Sequence, residues 1–240
     1  MKLKSEAFSS WMSSIKVIGF DLDDTLWNNS DVIIKAIDAQ YQYFMDHQLN
    51  SSRQELEAAY VSISQKLISA QPKRYQDVTQ LRNETLKQLC VHFGLDLKHA
   101  MGAFSAFYKQ RQKVKLYDEV IPLLEKLSQK YTLMVISNGN SNLEDIGIAD
   151  FFNVHLQAGR DGEAKPSGDM LLKALSFYDL KPHEYLYVGD NFHTDGQAVI
   201  NAGVKGLVIP SNPAEHHEQT FNTDNIKVLD NLLSFLKLVG

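Results

Sequence analysis

A single cysteine, Cys90, leaves this 240-residue chain no partner for an internal disulfide, so the fold does not depend on an oxidising compartment. Cys90 lies in the apolar-periodic segment Leu86-Leu89-Cys90-Phe93 and reads as a small core residue rather than a nucleophile. Long hydrophobic runs are missing too. No stretch approaches a membrane span, and the opening MKLKSEAFSSWMSS has two lysines but no signal-peptide core. The expectation is a cytoplasmic protein with no membrane partner. Positive charge is not in excess: 24 Lys and Arg face 29 Asp and Glu, a net charge of -5. That balance, with no aromatic-interleaved basic tract, argues against a nucleic-acid polymer as partner. Soft-metal spacing is absent as well. His47, His92, His99, His155 and His183 form no ligand set, and His216-His217 read as solvent-facing. No fixed-period repeat stands out.

What is present is ordinary globular composition, 44% hydrophobic and 22% charged, in a recurrent strand–helix pattern. Candidate strands fall at 15–20, 133–137, 154–157, 185–188 and 207–209. Most are apolar on successive residues, as a parallel sheet covered on both faces requires. Helical patterns at 170–178, 195–202 and 229–238 alternate with the later strands, which makes the chain an α/β sandwich. One interval breaks the alternation. From Phe20 to Leu133 the periodicity is helical almost throughout, including Val32-Ala36-Ile37-Tyr41-Phe44 and Leu56-Ala59-Ile63-Leu67. Ser52 with Glu55 three residues later is a capping-box signature. Further helices are expected over 76–93, stopping at Gly94, and over 98–109, and one at 118–129 rejoins the main domain. The expected domains are therefore a core of 1–28 and 114–240 and an all-helical insertion of 29–113, hinged near 27–30 and 113–118. An insertion rooted there hangs over the carboxyl ends of the strands, the edge where open α/β sheets bind ligands.

Four polar constellations sit at strand or helix edges: DLDDTL at 21–26, SNG at 137–139, KP at 165–166 and GDNFHTD at 189–195. Asp21, Asp190 and Asp195 supply hard oxygens suited to Mg²⁺. Carboxylates crowded beside a core repel one another unless a cation shares their space. Ser137, Asn138 and the amides after Ser137, with Lys165, are candidates to hold a phosphoryl group. A carboxylate in line with phosphorus acts as nucleophile, and a second acid protonates the leaving oxygen and later activates water. Asp21 and Asp23 answer that need.

These four motifs, in this order, resemble those of the haloacid-dehalogenase-like hydrolase superfamily, in the subclass with an α-helical cap between the first two motifs. The resemblance spans about residues 15–210. It implies a Rossmann-like three-layer sandwich with a mainly parallel sheet and an inserted cap. It further implies that Asp21 attacks phosphorus and ligates Mg²⁺, and that Asp23 is the general acid/base with its backbone carbonyl on the metal. Thr25 steadies the turn, Ser137 binds the phosphoryl group, Lys165 neutralises the nucleophile, Asp190 ligates metal and Asp195 positions it. Members that cleave carbon–halogen bonds use no Mg²⁺ and typically lack an acid where Asp23 stands. A halide leaving group needs no proton, so Asp23 favours phosphoryl transfer.

The expected activity is a Mg²⁺-dependent phosphatase for a small soluble phosphomonoester, with FDLDDTLW resembling the opening of bacterial nucleotidases. A phosphosugar mutase is the alternative, with dehalogenase and phosphonatase behind it; the expected assembly is a monomer or homodimer. Around these motifs the simpler readings are kept. His193 is a loop residue rather than a ligand of an oxygen-preferring ion. Gly189 admits a close approach. Trp27 lines the entrance or packs the hinge. Tyr41, Tyr43, Phe44 and Tyr60 are cap core. The run KQRQKVK at 109–115 is a solvated face.

Overall fold

The computed structural model describes residues 5–47, 51–211 and 224–239. Helix α1 (Ser5–Met12) leads into strand β1 (Val17–Phe20). Four helices then intervene: α2 (Ser30–Asp46), α3 (Arg53–Ala70), α4 (Val78–His92) and α5 (Lys98–Arg111). The chain returns through α6 (Val120–Ser128) to β2 (Thr132–Ser137), α7 (Leu143–Ile146) and β3 (Val154–Gln157). It closes with α8 (Asp169–Phe177), β4 (Tyr185–Gly189), α9 (Gln197–Ala202), β5 (Lys205–Val208), β6 (Ile226–Val228) and α10 (Leu232–Leu238).

The six strands pair in the order β3-β2-β1-β4-β5-β6, every pair parallel. Side chains alternate across such strands, so successive apolar residues feed two cores. Ile18, Phe20, Leu133, Val135, Leu186 and Val188 pack on one face. Val17, Met134, Ile136, Tyr185 and Tyr187 pack on the other. This is a Rossmann-like sandwich. Its register aligns Phe20 with both Val135 and Val188. The tips of β1, β2 and β4 therefore lie side by side, and the polar residues just past them share one edge.

Helices α2 to α5 form a helical insert with a core of its own, which includes Tyr41, Phe44, Leu56, Leu86, Leu89 and Cys90. Cys90 is buried, and burial pushes its thiol pKa up, in keeping with a packing role. The capping box opens α3: the Ser52 hydroxyl accepts from the Glu55 amide, and the Glu55 carboxylate accepts from the Ser52 amide. Gly94, at φ 66°, lets the chain turn where α4 stops. The insert rests on the core through specific contacts. Ala164 N donates to Gln76 Oε1 at 2.9 Å, Asn140 Nδ2 to Thr79 Oγ1 at 3.2 Å, and Asn142 N to Gln112 Oε1 at 2.7 Å.

Some elements differ from expectation. The last helix starts at Leu232 rather than Leu229, because Leu229 N still donates to Val208 O in the sheet and Asn231 caps the amide of Ser234. Strand β6, three residues long, is too short to register as a period. Helix α1 was not anticipated; Phe8 is buried and meets Phe235 edge-on at 6.1 Å. The expected helix over 195–202 is divided between a π-helical turn at Phe192–Gly196 and α9. His216 and His217 lie outside the described residues. Among those residues no helix is long and apolar enough to cross a membrane.

Candidate active site

The sheet continues one residue past β1, where Asp21 N donates to Val188 O at 2.8 Å. The chain then turns. Leu26 N bonds back to Leu22 O, and Asp24 takes φ 61°, a left-handed conformation that aspartate tolerates better than most residues. The turn allows Asp21 and Asp23 to serve one site despite their two-residue spacing. The Thr25 hydroxyl lies 3.5 Å from Asp21 Oδ2 and 3.4 Å from Asp190 Oδ1, so it bridges the first and last motifs.

Lys165 is 4% exposed and its ammonium is fully engaged. Nζ lies 2.6 Å from Asp21 Oδ1, from Asp195 Oδ1 and from the Tyr187 hydroxyl. Burial works to lower the Lys165 pKa, but the charges of Asp195 and Asp21 outweigh it and raise the pKa, so the side chain is cationic. The loop that carries it is held by Asn138. That side chain donates to Lys165 O at 2.8 Å and accepts from Lys165 N at 2.9 Å. Both polar ends of Asn138 are thus committed to the lysine loop, and what remains for a phosphoryl group is its backbone. Ser137 ends β2 with its hydroxyl accepting from Gly139 N at 2.9 Å.

Asp190 follows β4 and accepts from Ser211 Oγ at 2.9 Å through Oδ2. Asp195, in the π-helical turn, accepts from Asn191 N at 3.0 Å through Oδ2. Gly189 has a steric reason: a Cβ there would stand 2.4 Å from Asp195 Cγ. His193 is exposed.

One ligand oxygen from each of Asp21, Asp190 and Asp195 lies within 4.8 Å of the others. Burial, aided by neighbouring carboxylates, pushes Asp21 up to about 8 despite Lys165, and pushes Asp190 up to about 7. Lys165 alone does not neutralise three acids. A hard, oxygen-only donor set with surplus negative charge fits a small divalent cation such as Mg²⁺. Asp195 Oδ1 and Oδ2 are already bonded, whereas Asp21 Oδ2 and Asp190 Oδ1 have only the long Thr25 contacts. The last two are the oxygens a cation would take first.

A model of the family described as haloacid dehalogenase-like hydrolase matches residues 15–203. The chain belongs to the haloacid dehalogenase-like hydrolases. It is 31% identical over 202 residues to the 5-amino-6-(5-phospho-D-ribitylamino)uracil phosphatase YigB of Escherichia coli K12, across 82% of this chain and 84% of that one. It is 26% identical to the 2-haloacid dehalogenase of Pseudomonas syringae pv. tomato DC3000, covering 94% and 98% of the two chains with a TM-score of 0.81. The magnesium-bound HAD-hydrolase YfnB of Bacillus subtilis shares the fold at 18% identity and a TM-score of 0.64, over 94% of this chain and 98% of that one.

Three residues of the site were not singled out by sequence. Tyr187 looks like any core residue of an apolar strand, and Ser211 follows the last motif with no local signal. Arg111 corrects an expectation. Lys109, Lys113 and Lys115 are exposed as a solvated face requires, but Arg111 in the same run is 2% exposed. Its Nη2 donates to both carboxylate oxygens of Asp23, at 2.5 and 2.6 Å. Trp27 is fully buried, and its Nε1 donates to Asp23 Oδ1 at 3.1 Å, so it packs the hinge and also fixes Asp23.

Proposed function

We propose that this hydrolase is a Mg²⁺-dependent phosphatase that cleaves a small phosphomonoester through an aspartyl-phosphate on Asp21. The convergence of Asp21, Asp190 and Asp195 with Lys165 supports this reading above all. The carboxylates of Asp21 and Asp190 and the backbone carbonyl of Asp23 would hold the ion, with Asp195 positioning the site. The ion, when bound, offsets carboxylate and phosphoryl charge.

The chain's own groups divide the rest of the work. Lys165 neutralises Asp21 and keeps its carboxylate in one orientation. An Asp21 oxygen bonds to phosphorus as the ester P–O bond breaks, and the Asp23 carboxylic acid gives its proton to the departing alkoxide. Water then attacks the acyl-phosphate while Asp23 takes its proton, releasing inorganic phosphate and restoring Asp21. Ser137 steadies the phosphoryl oxygens. Residues 29–113 act as the cap, which excludes bulk water over a core of 1–28 and 114–240.

A nucleotide or sugar phosphate is the favoured substrate class. A cavity of about 310 Å³ lies between insert and core beside Gly139, lined by Thr79, Phe104, Tyr108, Asn140 and Arg160 among others. Phe104 and Tyr108 stack at 5.7 Å, offering an aromatic wall for a planar or sugar-like group, and Thr79 and Asn140 add polar groups to the same lining. The E. coli relative is named for a phosphorylated ribitylaminouracil, which has both kinds of moiety. The buried, free Cys90 suits a cytoplasmic metabolite enzyme.

The likeness to a 2-haloacid dehalogenase makes carbon–halogen cleavage the second reading. Asp23 weighs against it, because a halide departs without a proton. Phosphate release from p-nitrophenyl phosphate, measured with Mg²⁺, with EDTA and with Asp21→Asn, tests the main proposal. Release with Mg²⁺ alone supports it, and equal rates in all three sink it. Chloride release from a 2-chloroacid would favour the dehalogenase. Isomerised sugar phosphate without stoichiometric free phosphate would mark a mutase.

A further inference from the structure

Arg111 ends α5, the last helix of the insert, yet its guanidinium lies among the residues of the core site. A Cβ built on Gly139 would stand 2.7 Å from Asp23 Oδ2, 3.3 Å from Ser137 Oγ and 3.5 Å from Arg111 Nη2. These three groups therefore converge on the one spot where the Ser137 loop faces the acid. Nη2 is spent on Asp23, but Nη1 is buried with no hydrogen-bond partner among the described residues. A buried guanidinium nitrogen without a partner is costly to leave unmet. Behind it stands a second insert arginine. Arg82 donates from Nη1 to Gln40 at 2.7 Å and lies 3.5 Å over the Phe107 ring, with no ion-pair partner among the described residues. The charge of Arg111 is felt there, adding to burial in pushing the Arg82 pKa down. Arg82 is held inside the insert by Gln40 and Phe107, whereas Arg111 brings to the site a guanidinium whose Nη1 is unmet, an arrangement an anion completes.

We propose that Arg111 is a phosphoryl-binding residue supplied by the cap, parked on Asp23 without substrate and exchanged onto the phosphoryl oxygens when substrate enters. The inference rests on the phosphatase reading and adds to it a cap residue and an exchange. Only Nη2 meets Asp23, whereas a guanidinium turned onto a phosphoryl group presents Nη1 and Nη2 together to two oxygens, so the exchange gives the unmet Nη1 a partner. It also leaves Asp23 free to face the leaving oxygen. Because α5 carries Arg111, phosphoryl capture and cap seating become one event.

Binding of inorganic phosphate with Mg²⁺, followed by calorimetry, tests this without turnover. Arg111→Ala is expected to weaken phosphate binding by about ten- to a hundredfold, and to raise the KM for p-nitrophenyl phosphate by a similar factor. Arg111→Gln removes the charge and the guanidinium but keeps a polar side chain with an amide donor, and so guards against a folding defect. It should show the same weakening with a thermal midpoint near wild type, while Arg111→Lys recovers part of the affinity. Asp23→Asn frees the arginine and should leave phosphate affinity equal or higher. If Arg111→Gln binds phosphate within a factor of two of wild type, or wild type binds none, the proposal is overturned and Arg111 is a structural tie. A wild type that binds phosphate through Arg111 but hydrolyses nothing would overturn the phosphatase reading and leave this inference standing.

Discussion

The ammonium of Lys165 lies 2.6 Å from the hydroxyl of Tyr187, and that hydroxyl in turn donates to Ile136 O at 2.8 Å. A core tyrosine of β4 thereby ties the lysine to the backbone of β2. With Asp21 and Asp195 as its other partners, Lys165 has all three protons directed. Tyr187→Phe removes the relay and leaves the Ile136 carbonyl without that donor. The expected cost is about 1–2 kcal/mol of stability, read from a denaturant midpoint. Turnover should fall by roughly tenfold through the loosened lysine, with Mg²⁺ dependence retained.

Asp23→Asn separates attack from proton transfer. An aryl phosphate departs as a stabilised phenolate and needs little acid, whereas an alkyl phosphate departs as an alkoxide. Turnover of a sugar phosphate should drop by about 10²–10⁴-fold. The first burst of nitrophenol from the aryl ester should fall much less. Equal losses on both substrates would remove Asp23 from the acid role.

Stability should depend on pH in an unusual direction when divalent cations are absent. Burial raises Asp21 to about 8 and Asp190 to about 7, from 3.8 in each case. In that window these two acids hold more protons in the folded chain than in the unfolded one, so their contribution to stability falls as pH rises from about 4 to about 8. His155, which burial holds down to about 4, opposes them only up to about 6.5, so the fall is clearest above that pH. Mg²⁺ competes with those protons and should restore the most stability at the alkaline end. Thermal melts across the window, with Mg²⁺ and with EDTA, read this directly. A metal-free midpoint that climbs steadily with pH across the window would oppose it.

Gly159 is where the insert presses on the core. Its φ is 77°, and an added Cβ would meet Asp77 N at 2.3 Å. Gly147 has a similar φ of 84° but nothing within 4 Å of the same position. Gly159→Ala and Gly147→Ala therefore pay similar backbone strain, about 1–2 kcal/mol, but only the first pushes against the insert. We expect Gly159→Ala alone to raise KM, by roughly tenfold, because the proposed function has the cap seat over bound substrate. Equal KM values in the two variants would show that this contact plays no part in substrate capture.

The sheet was legible because both faces are covered. Runs such as Leu133-Met134-Val135-Ile136 feed two cores at once and stand out as continuous apolar segments. The insert was legible because its helices carry their own signals, the Ser52–Glu55 box and Gly94 among them. The first motif announced itself by its cost, three acids directly after a buried strand. What sequence could not reach depended on packing across the fold. Arg111 lies 88 residues from Asp23 and, with buried Gln112 beside it, sits among exposed lysines, so nothing local separates the inward residues from the outward ones. Tyr187 has the pattern of a core residue, and only the arrival of Lys165 from another segment gives its hydroxyl work. Asn138 shows the reverse. Its place in the second motif suggested a phosphoryl contact, but a side chain with one donor end and one acceptor end suits a peptide backbone, and Lys165 takes both.

The most direct test follows the phosphorus. The chain is mixed with Mg²⁺ and a substrate bearing labelled phosphate, quenched in acid during turnover, and the label is mapped to a residue. The account expects an acid-stable, base-labile acyl-phosphate on Asp21, absent in Asp21→Asn. Steady phosphate release with no label on the protein, or with label on Ser137, would contradict it.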